Sequence, residues 1–231
     1  MKGKCSKYWD IFYIVFWGKY YLCDSSMLQK LTRITVILFL LVFAASCTHK
    51  KIAKMPTLTV KNHSFSNYDS VKLSHIYLQL KVDFDNRVLS GKAVLDIENT
   101  SACQYLILDT RQLNIEDVLL DDSVSAAWSL GEETPIVGRA LVIALAKNTR
   151  KVAVYYSTRP DAEAIMWLNP AQTLGKKHPF MFTQSQAILA RTWVPCMDVP
   201  AVRFTYSADI ECDSKYLPLM SASNNFKRNS S

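Results

Sequence analysis

The sequence predicts an all-β domain, an antiparallel sheet or sandwich preceded by a signal segment. Three observations carry the prediction. Apolar and polar residues alternate along two adjacent runs, the period of a half-buried strand. Short strand-like runs then recur at close spacing, with turn residues between them. Between residues 63 and 231 no long amphipathic helical pattern interrupts them.

The chain opens with targeting signals. Lys30 and Arg33 precede an apolar run from Ile34 to Ala45 that is broken only by Thr35. That run is about half of the roughly 20 residues a bilayer span needs, so it fits a signal-peptide core better than a membrane helix. It ends in Ala44-Ala45-Ser46-Cys47, which resembles a bacterial lipoprotein cleavage site with Cys47 as the lipidated residue. Residues 27–46 are therefore expected to be a lipoprotein-type signal peptide. Residues 1–26, aromatic from Tyr8 to Trp17, read as an upstream segment outside the mature protein. The expected location is the bacterial cell envelope, with the exported chain lipid-anchored at Cys47 and facing the periplasm. Residues 47–62, polar and basic, read as a tether.

The strand pattern starts next. Ile76, Leu78, Leu80, Val82 and Phe84 fall on one face, with Tyr77, Gln79, Lys81, Asp83 and Asp85 on the other. After the break at Asn86-Arg87, Leu89, Gly91, Ala93, Leu95 and Ile97 point inward and Ser90, Lys92, Asp96 and Glu98 outward. A short polar link between two such runs predicts an antiparallel hairpin. Further strands are expected at Tyr105–Leu108 and Ile115–Leu120. Two more, Arg139–Leu145 and Lys151–Ser157, are joined through Lys147-Asn148, and turns lie at Asp121-Asp122-Ser123 and Gly131–Pro135.

Charge narrows the function. The net +7 of the whole chain is concentrated at the front: residues 1–46 hold six Lys/Arg against two acids, and residues 47–231 hold 21 against 18. A nearly balanced domain without a basic, aromatic-studded stripe gives nucleic-acid binding no support. Of six cysteines, only Cys103, Cys196 and Cys212 remain beyond the lipidation site, an odd number that argues against a disulfide framework.

No residue set completes a catalytic centre. The four histidines, His49, His63, His75 and His178, form no H-E-x-x-H pair and no i, i+4 pair, whereas zinc needs three or four converging ligands. His178, beside Lys176-Lys177 and Pro179, reads as a loop residue. No G-x-S-x-G or phosphate loop is present. No cofactor or metal is expected on this chain itself.

The stretch from Trp167 to Pro200 differs in kind, dense in Pro, aromatics and amides. Gln184 and Gln186 lie two apart, so on a strand they share a face and form a small array of donors and acceptors. On spacing alone, satisfying backbone groups at a sheet edge is the simpler role. Pro195-Cys196-Met197-Asp198-Val199-Pro200 fixes φ at both ends and reads as a rigid turn, with Cys196 structural rather than reactive. Arg191 and Arg203 are its candidate basic neighbours.

These residues carry a resemblance. Trp167-Leu168-x-Pro170-x-Gln172-Thr173-x-Gly175-Lys176-x-His178-Pro179-Phe180, then Phe182-Thr183-Gln184-Ser185-Gln186-Ala187, Arg191 and Pro195-Cys196-x-Asp198-x-Pro200 resemble the N-terminal domain of M1 zinc aminopeptidases. The branch is the one related to leukotriene A(4) hydrolase. Weaker matches are Leu108-Asp109-Thr110 and Leu219-Met220-Ser221-Ala222. The likeness covers about residues 63–222 and leaves 223–231 as a divergent tail.

The resemblance implies a saddle of antiparallel sheet packed on a separate zinc domain. That domain would hold the metal through H-E-x-x-H and the peptide backbone through G-x-M-E-N. It also implies that Gln184, Gln186 and Ala187 bind the peptide N-terminus, with Gln186 where most relatives carry a Glu. The expected partners are a peptide's N-terminus, a catalytic zinc domain missing here or separately encoded, and the membrane through Cys47. The chain is read as truncated and inactive alone. The competing expectation is a non-catalytic envelope lipoprotein that binds peptides or protein partners.

Overall fold

In this computed structural model, residues 50–52 and 54–224 are described; the signal segment, Cys47 and the end of the tail lie outside them. Eleven strands follow in chain order. They are β1 (Val71–Asp83), β2 (Val88–Asn99), β3 (Tyr105–Thr110), β4 (Leu113–Leu120), β5 (Val124–Ser125), β6 (Trp128–Leu130), β7 (Arg139–Ala144), β8 (Lys151–Thr158), β9 (Ile165–Leu168), β10 (Phe180–Thr183) and β11 (Thr205–Glu211). Two single 3-10 turns are the only helical pieces among the described residues. The domain is all-β, as its alternation predicts.

The strands form a six-stranded sheet ordered β11-β1-β2-β8-β4-β5, a three-stranded sheet ordered β3-β7-β6, and a two-stranded ribbon of β9 and β10. All pairs are antiparallel except β1 with β11. The predicted hairpin is β1–β2; of its expected inward residues Ile76, Leu78, Leu80, Leu89, Ala93, Leu95 and Ile97 are buried, Val82 and Gly91 are half-buried, and half-buried Phe84 lies just beyond the end of β1.

β1 begins earlier than its alternation suggests. Val71 and Leu73 are buried too, out of phase with Ile76. The register with β2 slips between Leu73 and His75, and the extra residue turns the parity of the strand over. The close approach of β2 to β1 explains Gly91. Its φ is +145°, and a Cβ there would stand 2.0 Å from the Gln79 carbonyl oxygen.

One core lies between the two larger sheets. Leu78, Leu95, Val118 and Val154 come from the six-stranded sheet, and Leu106, Leu108, Leu141 and Ile143 from the three-stranded one. β7 and β8, adjacent in sequence across Lys147-Asn148, do not pair; the link carries the chain from one sheet to the other. The rear of the tether is not free either. Lys50 and Ile52 bond to β6, through the Trp128 N–H on the Lys50 carbonyl and the Ile52 N–H on Ser129 Oγ.

A smaller apolar cluster of Leu89, Ala162 and Ile165, flanked by Val82, Trp167, Met181 and Trp193, seats the β9–β10 ribbon. Trp167 meets Phe84 edge to face, and Phe84 meets Tyr216 at 4.4 Å between ring centroids.

Candidate substrate-binding strand

β9 and β10 pair antiparallel, with Trp167 opposite Met181 and Ile165 opposite Thr183 on the side that faces the core. The period of two then sends Met166, Leu168, Phe180 and Phe182 to the other side. Met166, Phe180 and Phe182 are exposed there, and the two phenyl rings lie 6.0 Å apart. The connection between the strands, residues 169–179, folds around Thr173, whose hydroxyl sits 3.0 Å from the Pro170 carbonyl oxygen and 2.7 Å from that of His178. His178 itself is exposed in this loop.

The glutamines come next, and the structure corrects how they are held. They do not lie on one strand, because β10 ends at Thr183. Gln184 extends the ribbon by one backbone bond, its N–H donating to the Ala164 carbonyl at 2.8 Å. The chain then turns. The Gln186 N–H donates to Gln184 Oε1 at 3.1 Å, and the Leu189 N–H closes the loop on the Ser185 carbonyl at 2.9 Å. The Gln186–Ala187 peptide is cis. Gln184, Gln186 and Ala187 are all exposed. Gln184 thus uses its amide oxygen to shape the loop, and Gln186 is left to project from it.

The loop is fastened underneath. The Trp193 indole N–H donates to Ser185 Oγ at 3.0 Å. Thr192, fully buried, accepts the Ala164 N–H and donates to the Leu189 carbonyl. Both backbone groups of Ala164 therefore pin the two ends of the glutamine loop.

Arg191, beside Thr192, is the largest fully buried side chain. Its Nε donates to Asp198 Oδ2 at 2.9 Å, Nη2 to the Asp198 carbonyl at 2.7 Å, and Nη1 to the carbonyls of Val137 at 2.8 Å and His63 at 3.0 Å. Asp109 Oδ1 lies 3.8 Å from Nη1. Asp109 also accepts the Ser64 hydroxyl and the backbone N–H groups of Phe65 and Asp198. Burial pushes the Asp109 carboxyl above the usual carboxylate range, and Arg191 pulls the other way. A buried guanidinium satisfied on every side is affordable only in such a cage.

The Pro195–Pro200 turn belongs to this knot. The Cys196 carbonyl accepts the Asp109 N–H at 2.8 Å, so the turn pairs along the free edge of β3. Asp198 supplies the acceptor for Arg191. Pro195 is buried and Pro200 exposed. Cys196 is buried, and desolvation, with Asp198 and Asp109 adding to it, raises its thiol pKa well above normal. It is not poised as a nucleophile. Arg203, the other basic neighbour considered, is exposed and has no place in the knot. The reach of Arg191 to Asp109, His63 and Val137 across the chain had no local signature in the sequence.

The Peptidase M1 N-terminal domain profile matches residues 66–231. The chain belongs to that family. Its relatives include leucine aminopeptidase 2 of Pyricularia oryzae, 37% identical over 152 residues, which span 63% of this chain and 25% of that protein. Leukotriene A-4 hydrolase of Xenopus laevis is 33% identical over 165 residues, spanning 69% and 27%. The yeast LTA4 hydrolase structure with bestatin superposes at a TM-score of 0.60 and 30% identity, over 70% of this chain and 26% of that one. An M1 zinc metallopeptidase from Deinococcus radiodurans shares the fold at a TM-score of 0.56 and 15% identity. This M1 N-terminal domain spans about a quarter of the length of the curated relatives it matches. In it, the residues that distinguish the sequence from 167 to 200 form one unit: ribbon, glutamine loop and the buried knot beneath.

Proposed function

We propose that this M1 N-terminal domain is the substrate-side half of a zinc aminopeptidase, in which Gln186 receives the α-amino group of a peptide. The observation that carries the reading is the placement of the glutamine loop. It is exposed at the end of a ribbon whose outward face is apolar, and it is clamped from below by Thr192 and Trp193. A loop so well supported yet turned to solvent is suited to hold a ligand in fixed geometry. The relatives named leucine aminopeptidase and leukotriene A-4 hydrolase supply the chemical class.

The zinc and the base that activates water would come from a catalytic domain seated against the Met166–Phe180–Phe182 face. These 231 residues contain no H-E-x-x-H, so alone they would bind without cleaving. Export and lipidation at Cys47 form the cellular half of the proposal and place the reaction in the envelope.

Gln186 sets the electrostatics. A carboxylate about 4 Å from an ammonium gains roughly 4 kcal/mol at an effective dielectric near 20, whereas a neutral hydrogen bond contributes about 1 kcal/mol. A Gln site therefore discriminates less strictly for a free amine. The test is a chimera in which this domain replaces its counterpart in a complete M1 relative. Gln186→Glu should raise the preference for free over N-acetylated peptides by at least about tenfold, read as the kcat/KM ratio. An unchanged ratio would remove Gln186 from the substrate. The isolated chain, loaded with zinc salt, should leave aminoacyl amides intact; turnover by it would contradict the division of labour.

A further inference from the structure

The chain enters the sandwich at one end and carries its glutamine loop at the other. The Lys50 carbonyl accepts the Trp128 N–H at 3.1 Å, and the Ile52 N–H donates to Ser129 Oγ at 3.2 Å. Leu58 then lies against Gly131. This strap therefore runs along β6 in its own direction, and the residues before Lys50 leave from the Trp128 end of that strand.

The strand registers say which end this is. β6 sets Trp128 opposite Ile143, and β3 sets Tyr105 opposite Ala144. β7 then passes through residues 145–150 into β8, where Lys151 stands opposite Asp96 and Val152 opposite Leu120. The Asp121 carboxylate gathers the Arg150 and Lys151 N–H groups. The Trp128 end thus comprises β5 and the links 100–104, 121–123 and 145–150. The glutamine loop belongs to the other end. β8 finishes there with Thr158 opposite Leu113, and the Thr158 hydroxyl accepts the Leu89 N–H. Leu89 packs with Ala162 and Ile165 beneath the ribbon, the Arg111 N–H reaches the Arg191 carbonyl, and Ala164 bonds to Gln184 and Thr192. β8 measures the interval: eight residues at about 3.3 Å each put about 25 Å between the two ends.

We propose that this polarity orients the domain on a membrane, with the Trp128 end at the bilayer and the glutamine loop held away from it, open to peptides dissolved in the surrounding water. The inference rests on the lipidation of Cys47 already proposed. Lys50 follows Cys47 by three residues, a reach of about 10 Å at full extension. A leash that short, tied off at β6, does not let the sandwich invert, because inversion would have to span the length of β8. A long flexible tether would let either end approach the membrane, and the strap removes that freedom. The substrates presented to the loop are then peptides free in solution rather than chains embedded in the bilayer.

The full chain, made with its own signal in a bacterial host, tests the two layers separately. The mass of the N-terminal peptide reads lipidation, and an unmodified Cys47 would overturn the proposal together with the reading beneath it. The lipidated chain is then placed in vesicles of phosphatidylethanolamine and phosphatidylglycerol that carry an energy-acceptor dye on a headgroup. A fluorescent amino acid is set in turn at Ser123, exposed at the Trp128 end, and at Asp85, exposed at the other, with Lys147 and Asp161 as a second such pair. Over the length of β8, transfer to the bilayer should be about threefold stronger from Ser123 and Lys147 than from Asp85 and Asp161. Inserting about twenty Gly/Ser residues between Thr48 and His49, with a mean span of about 25 Å, should bring the signals of each pair together and leave the lipid in place. Equal transfer from both ends of the lipidated parent would overturn the orientation and leave lipidation standing. A difference that survives the insertion would do the same, since the short leash would then not be its cause.

Discussion

The seam under the glutamine loop and the ribbon that carries the loop treat polarity in opposite ways. In the seam, Arg191, Asp109 and Asp198 place charge in the interior, enclosed by Ser64, His63 and Val137. On the ribbon, Met166, Phe180 and Phe182 place apolar groups in water. Each inversion is costly by itself. Together they divide the labour: the knot fixes where the loop stands, and the ribbon offers the surface beside it. Charge goes inside where geometry must be exact, because a guanidinium with five directed donors locks several chain segments at once.

The strongest test of the comparison is to remove the charge from the seam. Arg191→Met leaves Asp109 and Asp198 buried without their partner. Breaking a buried pair from one side costs about 3–5 kcal/mol, and urea unfolding should read a loss of that size. The loss should depend on pH. Asp109 is already held above the usual carboxylate range by burial, and without Arg191 its carboxyl moves further up. A group whose folded value exceeds its unfolded one is most favourable below the unfolded value and loses that advantage as pH rises through the folded one. The variant should therefore be closest to the parent below the unfolded carboxylate value of about 3.9 and fall progressively further behind as pH rises above it.

The asymmetry between the two regions also explains what could be read beforehand. Alternation in residues 76–97 gave both strands of the first hairpin, because burial on one face writes itself into every second residue. It missed Val71 and Leu73, whose phase is reversed by the slip at Ser74. It could not tell that β7 and β8 part company, since period two names a face and not a partner. The ribbon and loop stood out by composition, but their geometry did not: Gln184 and Gln186 share no strand face, and a backbone-to-side-chain bond holds them instead. The knot was the least legible part. Asp109 and Arg191 are 82 positions apart, and only the folded core brings them together.

A smaller effect is expected where β2 pairs with β1 at Gly91, against the Gln79 backbone. Gly91→Ala would drive a Cβ onto the Gln79 carbonyl and strain a positive φ, at about 3 kcal/mol. The measurement is the same urea midpoint, with the slope unchanged if the sheet survives. A near-neutral result would mean that β1 and β2 separate easily, and the contrast between a tight core and an open ribbon would weaken.

The smallest effect should come from the ribbon. Phe182→Ser removes an exposed ring from the outward face, opposite Met166 and beside Phe180. Exposed substitutions away from caps and cores usually fall within about 0.5 kcal/mol, and this one also removes apolar surface from water. Unfolding should barely move, and a fluorescent probe of apolar surface should bind less. The same change in the chimera with a catalytic domain should lower activity through weaker seating of that domain, without changing the fold of this one. If Phe182→Ser instead cost as much as Gly91→Ala, the ring would be a core residue of this domain. The ribbon would then be an extension of the sandwich, with no claim to a surface awaiting a partner.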